Sequence, residues 1–556
     1  MSGTTSTTST TSSTGTNTYH AIVIGGGHNG LVAGAYLARS GAKTVVLEAR
    51  HKVGGAADTM APWPEAPEFK VTTLSYVMSL MPDTIQRDLK LADHGYKAYP
   101  VGPYFLPFPD GRCIVQYDDD AKKNYESFAQ FSKHDADAIE RWDAWIGGLA
   151  DVLGPMLMSI PPTVGSKKPA DLYEQLRLAW RFRGLDVKTV GDVTRLMTMS
   201  IVDILDRFFE TDQVKTVMAL NGLIGTWAGP YEPGTGYVMA HHSIGDVGDG
   251  HLGAWAVPEG GMGAVSDAIA SSARAFGAEI RTNARVAKVL TEGGRATGVV
   301  LEGGEELRAP VVVTAIHPKI TFLEQIDRSE LPAAFVDDID NWKTRSGVVK
   351  INCALDRAPV FTAKPDLQDL TGGFELAHSI AYLEKAFEEA RAGLPSTAPF
   401  SDGVMPTVYD RTLAPEDKHI VSLFTQWVPH EWSEKPHTEE LDAYADRVIA
   451  GYDEMAPGFA DSVLHRQVIG PWEMEHGWGL IGGNIFHGEL SAEQLFHMRP
   501  APGYADYRSP IRGLYQASSA THGGGGVCGI PGYNAFKQIK ADRKGGRLTR
   551  TRARKG

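Results

Sequence analysis

The sequence predicts an α/β fold built around a parallel sheet, and three features of its first fifty residues indicate this. Residues 20–24 form a short apolar run of the kind found in buried parallel strands. A glycine-rich turn follows, and residues 31–40 then have the pattern of a helix that ends at Gly41. Residues 43–48 return as a second strand, which completes the strand, turn, helix, strand order of a Rossmann-type unit.

The turn carries Gly25, Gly27 and Gly30 in the spacing G-x-G-x-x-G. The first glycine permits a sharp turn, the second lets the backbone approach a pyrophosphate, and the third lets the helix pack on the strand. The helix N-terminus directs partial positive charge at phosphates. Glu48 follows Gly30 by 18 residues, where a carboxylate accepts ribose hydroxyls and repels a 2′-phosphate. A dinucleotide site is therefore predicted in preference to a purely structural turn.

A second glycine pair follows the acidic residue almost at once, in the sequence VGGAA over residues 53–57. Gly54 and Gly55, followed by Ala56, let the backbone come close to a ribityl chain and a flavin ring beyond the pyrophosphate. This pattern resembles the FAD-binding opening of the flavoprotein superfamily that includes amine oxidases and carotenoid desaturases. FAD is therefore expected rather than NAD.

Composition restricts the function classes further. The chain has 556 residues and a net charge of −13, which disfavours a nucleic-acid partner. Its cysteines, Cys113, Cys353 and Cys528, are far apart and form no CxxC pair and no metal-ligand spacing. A disulfide-reductase flavoprotein and a metal site are therefore not expected, and the composition suits a reducing cytoplasm. No apolar run approaches the roughly 20 residues that span a bilayer.

Both ends of the chain are predicted to be tails. Residues 1–18 are mostly Ser, Thr and Gly, which is typical of a disordered tail rather than a signal peptide. The basic run over 537–555 supports two interpretations, a solvated tail or weak attachment to an anionic membrane surface. We expect a cytoplasmic protein, and the sequence leaves peripheral membrane contact and homo-oligomerisation open.

Length alone allows three or four domains. We expect two, because flavoproteins of this class build two domains from alternating segments of the chain. The predicted FAD-binding domain comprises residues 19–95, 246–320 and 471–540. The predicted substrate-binding and helical cap domain comprises residues 96–245 and 321–470. Residues 541–556 are assigned to the basic tail.

Helices are predicted over residues 118–153, 172–182 and 194–209, because apolar residues recur there at spacings of three and four. Three interpretations of their apolar surface stay open. The surface could form the core of a helix bundle, the wall of a tunnel for an apolar substrate, or a face that contacts a membrane.

Residues 222–263 combine dense glycine with Trp, Tyr and His, a composition that lets a backbone fold closely against a flat ring. His241 is a candidate for a role near the substrate, and a hydrogen-bonded core histidine is the alternative. Metal binding by His241 and His242 is not expected, because adjacent histidines point in different directions and no carboxylate cluster accompanies them.

The remaining elements are predicted from local periodicity. Residues 58–110, with an apolar stretch at 76–81, are expected to form a loop region that leads into a pocket wall. Strands are expected at 279–290, 296–301, 306–308, 309–315, 348–355, 404–409, 420–427, 463–470 and 513–518. Helices are expected at 264–276, 319–345 and 441–455 and up to residue 539, with surface elements at 364–371 and 384–392.

The segment 513–539 repeats the order of strand, glycine-rich loop and helix. Such a loop can face the N1–C2=O edge of a flavin, where a helix dipole stabilises the negative charge that develops on reduction. The loop residues predicted to contact the cofactor are Gly525, Gly526, Gly529 and Ile530. His522 is the first candidate for proton transfer or flavin contact, and hydrogen bonding within its own loop is the alternative.

With these motifs the chain resembles the phytoene desaturase family of FAD oxidoreductases. The nearest branch holds desaturase-like β-carotene ketolases and the pyridine nucleotide-disulfide oxidoreductase domain-containing protein 2-like proteins. Gly523 stands where the family usually has proline, and Tyr533 where it often has arginine. The matching motifs, which span residues 20–540, are GGGHNGLVAGAYLARSG, LEARHKVGGAADT, GAWAVPEGGMGAVSDAIA, KINCAL, PTVYDRTLAP, GNIFHGELSAEQLFHMRPAPGYADYRSPI and GLYQASSATHGGGGVCGIPGYNA.

The resemblance implies a three-layer ββα FAD-binding domain interleaved with a mixed-sheet and helical substrate domain, as in amine oxidases and phytoene desaturases. It also implies that Val286 contacts the adenine and that Ala315 lies near the pyrophosphate. The full set of predicted cofactor-binding residues is Gly25, Gly27, His28, Asn29, Gly30, Glu48, Ala49, Arg50, Gly54, Gly55, Ala56, Val286, Ala315, Gly525, Gly526, Gly529 and Ile530.

The implied activity is hydride transfer from carbon of a hydrophobic, polyene- or isoprenoid-like substrate to flavin N5, with reoxidation by oxygen or a quinone. An oxidase of amines or aromatic side chains is the second interpretation, and it needs the same flavin with a more polar pocket. A non-catalytic flavin-binding scaffold is the third. No second G-x-G-x-x-G in strand context supports a separate nicotinamide site.

Overall fold

The computed structural model describes residues 17–117, 120–167, 169–245, 253, 255–366 and 373–548. The strands are β1 Ala21–Ile24, β2 Thr44–Leu47, β3 Thr59–Met60, β4 Val71–Thr72, β5 Ala98–Val101, β6 Tyr104–Pro107, β7 Cys113–Gln116, β8 Trp255–Pro258, β9 Glu279–Arg281, β10 Val286–Glu292, β11 Arg295–Leu301, β12 Glu306–Arg308, β13 Val312–Thr314, β14 Val348–Leu355, β15 Gly373–Leu376, β16 Phe400–Val404, β17 His419–Gln426, β18 Val463–Ile469 and β19 Leu514–Gln516.

The α-helices are α1 His28–Arg39, α2 Asp83–Asp88, α3 Ala121–Ala129, α4 Lys133–Leu157, α5 Pro169–Phe182, α6 Val187–Thr198, α7 Ile201–Leu205, α8 Asp212–Ala219, α9 Thr235–Ser243, α10 Met262–Ala275, α11 Ala333–Asp340, α12 Ile380–Arg391, α13 Thr438–Met455, α14 Phe459–Ser462, α15 Pro471–Trp478 and α16 Ile530–Lys544.

The nucleotide-binding sheet has five parallel strands in the order β19-β13-β1-β2-β9. Alternate residues of its strands face opposite sides, as the pleat requires. Val23 and Val46 pack against α1, α10 and α16 on one side. Ile22 and Val45 pack on the other side against the antiparallel β10-β11-β12 sheet. The predicted α/β class with a three-layer ββα domain is confirmed.

A second, mixed sheet has seven strands in the order β18-β14-β17-β16-β15-β6-β7. Most of its pairs are antiparallel, whereas β15 pairs with β6 in parallel. Helix α13 covers one face through Tyr444, Val448 and Tyr452, which are fully buried. The other face is turned toward the helical layer and the cavity described below.

The helical layer packs around one apolar core that α4, α6, α7, α8 and α9 share. The predicted helix over 118–153 is two helices, because Ser132 caps α4 by accepting a hydrogen bond from the backbone N–H of Asp135 at 3.2 Å. The predicted helix over 194–209 is also divided. Ser200 caps α7 by accepting from the N–H of Asp203 at 3.0 Å. Hydroxyl caps therefore divide these helical stretches.

Three further stretches differ from the prediction. The strand predicted over 404–409 shares only Val404 with the observed β16, Phe400–Val404. Residues 406–408 form a 3₁₀ turn instead, because Pro406 has no N–H for a sheet ladder. Residues 319–345 are not one polar helix, because Pro332 and the Asp327 cap divide them and Phe335 is buried. The predicted loop over 58–110 contains β3 to β6 and α2.

The expected surface element over 384–392 is part of α12, whose Leu383, Ala386 and Phe387 are buried. Helix α16 continues to Lys544, so residues 541–544 of the predicted basic tail are helical. Residues 1–16 and 549–556 of the predicted tails lie outside the described residues, as do residues 367–372. The domain boundaries stay a prediction. Within the described ranges, no helix combines the length and apolar character that crossing a bilayer requires.

Candidate cofactor and substrate site

A cavity of about 360 Å³ reaches from the ends of β1, β2 and β13 to Phe424 on the seven-stranded sheet. Open α/β sheets bind ligands at this carboxyl edge. The cavity wall brings together many of the predicted cofactor-binding residues, namely Gly25, Gly27, His28, Asn29, Glu48, Ala49, Arg50, Gly55, Ala56, Val286, Ala315 and Gly526.

The glycine turn after β1 is closely fitted to α1. Gly25 has φ +97°, a left-handed conformation that glycine adopts readily. A Cβ on Gly30 would lie 2.0 Å from the carbonyl oxygen of Gly25, so only glycine fits there. Gly27 precedes α1, and no side chain caps that helix N-terminus. The free N–H groups of the first turn therefore face the cavity, where a phosphate can accept their hydrogen bonds.

Glu48 is buried at the end of β2 and is held by the backbone around it. Its Oε2 accepts from the N–H of Gly26 at 2.7 Å, and its Oε1 accepts from the N–H of Arg50 at 2.8 Å. These bonds fix the carboxylate at the cavity wall. Residues 54 and 55 pack against the first turn, because the Gly54 N–H donates to the carbonyl of Gly26 at 2.9 Å. A Cβ on Gly55 would lie 3.2 Å from the Cα of Gly27.

The C-terminal glycine loop closes on the same turn. Asn29 Nδ2 donates to Ser519 Oγ at 3.2 Å, and a Cβ on Gly532 would lie 2.2 Å from the Asn29 carbonyl oxygen. Gly526 lines the cavity, whereas Gly525 packs against Phe486, where a Cβ would lie 2.2 Å from the ring. The loop is thus built by close backbone approach.

The structure places Gly30, Gly54, Gly525, Gly529 and Ile530 behind the cavity wall rather than in it. Gly529, with φ +69°, precedes α16 as its N-terminal cap, and Ile530 begins that helix. These five residues shape the turns that carry the lining residues. Direct cofactor contact by them stays a prediction.

The two candidate catalytic histidines lie away from this cavity. His522 is buried, and its Nε2 lies 2.8 Å from the carbonyl oxygen of Met156. His241 lines a second cavity of about 260 Å³, which shares Ser79 and Leu80 with the first. Burial lowers the pKa of His522 to about 4 and that of His241 to about 3, so both rings are neutral at pH 7. Both ring nitrogens of His241 lack a hydrogen-bond partner among the described residues. A proton-transfer role for either histidine stays a prediction.

Other histidines occupy the wall instead. His317 and His487 line the cavity with ring centroids 5.5 Å apart, and His242 lies near its aromatic end. Burial lowers the pKa of His242 and of His487 to about 4 and that of His317 well below its usual value. The position of His317, three residues after β13, was a usable signal, because residues that follow parallel strands gather at one sheet edge.

The end of the cavity nearest the seven-stranded sheet is aromatic and apolar. The rings of Tyr76 and Phe424 stack with centroids 5.5 Å apart at an interplanar angle of 23°. Further lining residues here are Leu74, Val77, Leu80, Ile224, Trp255, Leu480, Ile485 and Phe486. The apolar stretch at 76–81 was expected to lead into a pocket wall, and Tyr76, Val77, Ser79 and Leu80 do line the cavity. The pairing of Tyr76 with Phe424 could not be predicted, because more than 300 residues separate the two.

One group of potential metal ligands occurs in the described part of the chain, formed by His134, Asp135 and Glu210, with ligand atoms within 4.8 Å of one another. The Asp135 carboxylate accepts from the backbone N–H groups of Glu210 at 2.8 Å and Thr211 at 2.9 Å. These bonds explain the cluster as a tie between α4 and the segment before α8.

Comparison with known families decides the assignment. Residues 199–532, more than half of the chain, match the family profile described as flavin containing amine oxidoreductase. The chain belongs to the flavin-containing amine oxidoreductase family. Residues 23–89 of this family member also match the profile of the NAD(P)-binding Rossmann-like domain. The resemblance drawn from the motifs is confirmed.

Similar proteins agree with this family. The chain is 40% identical to "Pyridine nucleotide-disulfide oxidoreductase domain-containing protein 2" of Rattus norvegicus, over 95% of this chain and 94% of that protein. It is 26% identical to one of the limonene dehydrogenase polypeptides of Castellaniella defragrans, over 94% of each. The solved structure of a putrescine oxidase bound to putrescine has a TM-score of 0.58 and 16% identity, over 95% of this chain and 99% of that one.

FAD is the cofactor of this family member, and the residues present fit it. The uncapped N-terminus of α1 and its glycine turn suit the pyrophosphate, and Glu48 suits a ribose. The glycine pair at residues 54–55 and Gly526 suit the flavin side. The aromatic end of the cavity then remains for a substrate.

Proposed function

We propose that this flavin-containing oxidoreductase removes hydride from carbon of a hydrophobic, isoprenoid- or polyene-like substrate. The single observation that carries the proposal is the composition of the cavity beyond the flavin-binding turns. Tyr76, Trp255, Phe424, Leu480 and Phe486 line that end, and such a wall binds an apolar chain or ring and excludes water.

FAD, when bound, supplies a two-electron acceptor that takes a hydride. The protein then has to hold the substrate carbon in place and keep water away from it. The stacked Tyr76 and Phe424 rings provide a flat, rigid contact surface for that purpose. The neutral imidazoles of His242, His317 and His487 add polar contacts without adding charge to the wall.

Amine oxidation is the second candidate, and the matching family profile favours it. A polar amine needs an anionic or hydrogen-bonding partner in the pocket. The Asp402 carboxylate, which accepts a hydrogen bond from the Tyr76 hydroxyl, is one such group, and Glu475 lines the cavity itself. The two candidates therefore make opposite demands on the substrate end of the cavity.

Anaerobic titration of the purified holoenzyme separates the candidates. Limonene represents the apolar class and putrescine the amine class, and loss of the oxidised flavin band reports reduction. We expect limonene to bleach the flavin and putrescine to leave it oxidised. Bleaching by putrescine alone would replace the first candidate with the second. A flavin that neither these compounds nor larger polyenes and aromatic amines reduce would favour a non-catalytic scaffold.

The electron acceptor is part of the same proposal. We expect oxygen or a soluble quinone to reoxidise the reduced flavin. Mixing the photoreduced holoenzyme with air-saturated buffer, and separately with an anaerobic quinone, measures both rates. Failure of both to restore the oxidised band would contradict this part of the proposal.

A further inference from the structure

We propose that Tyr76 and Asp402 form a proton-transfer pair at the substrate end of the cavity, with Glu375 as the neighbouring proton-holding group. The proposal rests on the proposed function, because removal of two hydrogens from a substrate releases one of them as a proton. Tyr76 would be the residue that meets the substrate, and Asp402 a positioning residue that acts through it.

Strand register places the acidic groups on the cavity side of the seven-stranded sheet. Lys350 of β14 lies opposite Phe424 of β17, Phe424 opposite Asp402 of β16, and Asp402 opposite Glu375 of β15. Directly opposed residues in antiparallel strands project from the same face. Because Phe424 lines the cavity, this cross-strand row follows the cavity wall.

Tyr76 connects the row to the cavity. Its ring is part of the cavity lining, and its hydroxyl donates a hydrogen bond to Asp402 Oδ2. The second oxygen of that carboxylate, Oδ1, is buried and has no hydrogen-bond partner among the described residues. A buried carboxylate oxygen without a donor is costly, and such groups are typical of functional sites rather than of structural ties.

No ion pair in the described structure neutralises Asp402. Lys350 donates instead to Asn352 Oδ1 at 2.6 Å and to Ser422 Oγ at 2.5 Å, and both acceptors are uncharged. The other titratable groups with an electrostatic effect on the pair are Glu375 from β15, Tyr104 from β6 and Tyr452 from α13, which packs on the opposite face of the sheet. The row therefore holds two carboxyl groups and one amine in a dry environment, which favours proton sharing over full ionisation.

The protonation states suit a base that works near neutral pH. Burial raises the pKa of Asp402 to about 6 and that of Glu375 well above its usual value. Burial also lowers the pKa of Lys350 to about 7. A pKa of about 6 leaves Asp402 mostly ionised at pH 7 and able to accept a proton, and the raised pKa of Glu375 favours its protonated form. Its basic form is lost as the pH falls through about 6.

In a dehydrogenation, bound FAD would supply the two-electron acceptor for the hydride that one substrate carbon loses. The adjacent carbon loses a proton to the Tyr76 hydroxyl oxygen while the Tyr76 proton moves to Asp402 Oδ2. The electron pair of the broken C–H bond stays on the substrate and becomes the new C=C bond. Release of the proton from Asp402 then restores the pair.

The first test needs no substrate. Infrared difference spectra of the holoenzyme between pH 5 and pH 8 report the C=O stretch of protonated carboxyl groups. We expect a band in the wild type that titrates near pH 6 and is absent in Asp402→Asn. The control is Tyr99→Phe, because Tyr99 donates to Glu259 at 2.5 Å in a similar pair outside the cavity wall. An unchanged band in Asp402→Asn would overturn the proposal.

The second test follows anaerobic flavin reduction by limonene, or by putrescine if only that compound reduces the wild type. We expect Tyr76→Phe and Asp402→Asn to slow reduction by about 100-fold, the usual contribution of a proton-transfer group, and to flatten the rise in rate between pH 5 and pH 7. Dithionite should reduce the flavin of all variants normally, and Tyr99→Phe should keep the wild-type rate and profile.

The outcomes distinguish the two proposals. Wild-type rates and pH profiles in both cavity variants would overturn the proton-transfer pair while leaving the proposed function intact. If neither these compounds nor larger polyenes and aromatic amines reduce the wild type, the proposed function fails for both classes, and the infrared band of Asp402 decides whether the proton-holding pair exists.

Discussion

One added methyl group at Gly30 is predicted to disrupt the cofactor turn. In Gly30→Ala the new Cβ would lie 2.0 Å from the carbonyl oxygen of Gly25, so the turn or α1 has to move. We expect purified Gly30→Ala to carry less than about a tenth of the wild-type flavin and to be destabilised by about 1–3 kcal/mol. The ratio of flavin absorbance to protein absorbance measures the first effect, and urea unfolding the second.

Gly147→Ala is the matched control for this prediction. Gly147 lies inside α4, and no atom lies within 4 Å of a Cβ built there. Alanine is favoured over glycine inside a helix by about 1 kcal/mol, so this variant should be as stable as the wild type or more stable. Full flavin content in Gly30→Ala would contradict the prediction.

At the residue scale, site residues could be predicted from the sequence where the local backbone conformation requires one residue type. Gly25 and Gly30 could be identified because Gly25 has a positive φ and a Cβ on Gly30 would clash with the backbone. Gly27 has φ −67° and a Cβ there would lie 3.9 Å from the Cα of Gly55, so only the G-x-G-x-x-G spacing indicates it. His522 is different, because its orientation depends on the carbonyl of Met156, 366 positions away. The hydrogen bond of Tyr76 could not be predicted for the same reason, since its partner Asp402 is distant in sequence, although the stretch 76–81 was expected near a pocket wall.

At the element scale, the segment after α15 is held by one buried cation. Arg499 is 1% exposed and has no carboxylate partner among the described residues. Burial lowers its pKa to about 10, so it stays charged at pH 7. Its guanidinium donates to the carbonyl oxygens of Phe486, Gly488, Glu489, Gln494 and Ser519.

We expect Arg499→Lys to lower the free energy of unfolding by about 3 kcal/mol or more. A lysine ammonium has three donors on a flexible stem and cannot reach all five carbonyl groups that the planar guanidinium serves. Urea unfolding measures the loss. Arg328→Lys is the control, because Arg328 is 52% exposed and pairs with Asp340 at 2.9 Å. A change of less than about 1 kcal/mol in Arg499→Lys would refute the anchoring role.

Helix α5 exposes an apolar stripe in the described structure. Tyr173, Leu176 and Trp180 are 66–69% exposed, and the Arg183 guanidinium lies 3.1 Å from the centroid of the Trp180 ring. Exposed aromatic and basic residues on one helix are typical of contact with an anionic membrane surface. We propose that this stripe, rather than the basic tail, mediates any such contact.

Sedimentation with vesicles containing anionic lipid tests the stripe. We expect the double variant Leu176→Glu and Trp180→Glu to lose at least about nine-tenths of the vesicle-bound fraction of the wild type, because each glutamate removes apolar area and adds repulsion. Val360→Glu is the control, since Val360 is 59% exposed on a different part of the surface. Equal vesicle binding by the wild type, the double variant and the control would contradict membrane contact through this stripe.

Element boundaries were predicted less well than element types. The parallel strands of the nucleotide-binding sheet could be predicted from their apolar runs. In the mixed sheet, β14 lies at the predicted residues 348–355. Helices over 118–153 and 194–209 are divided because Ser132 and Ser200 have hydroxyl groups placed to cap a new helix. A serine in an apolar stretch caps a helix only when the chain turns there, and tertiary packing decides that turn.

At the scale of the whole molecule, buried histidines set the response to acid. Burial lowers the pKa of each of them, namely His28, His241, His242, His317, His487 and His522. The unfolded chain binds protons on these rings below about pH 6.5, whereas the folded chain binds them only at a lower pH, near 4 for His28, His242, His487 and His522. Folding stability therefore falls as the pH falls through this range. The raised pKa values of Asp402 and Glu375 act in the opposite direction.

We expect the urea midpoint of the FAD-saturated protein to decrease between pH 7 and pH 5. Each buried histidine contributes up to about 1.4 kcal/mol per pH unit. His522→Asn should reduce the slope by up to that amount, and His497→Asn, at an exposed position, should not. A midpoint that rises toward pH 5 would show that the carboxyl groups dominate.

The position of β13 between β1 and β19 has a consequence for synthesis of the protein. Strand β13 pairs with β1 on one side and with β19 on the other, and 493 positions separate Ala21 from Leu514. At translation speeds of about 5–20 residues per second, β19 is synthesised roughly 25–100 s after β1. During that interval the nascent chain exposes an unfinished hydrophobic edge, so its yield in cells should depend on chaperones that shield such edges.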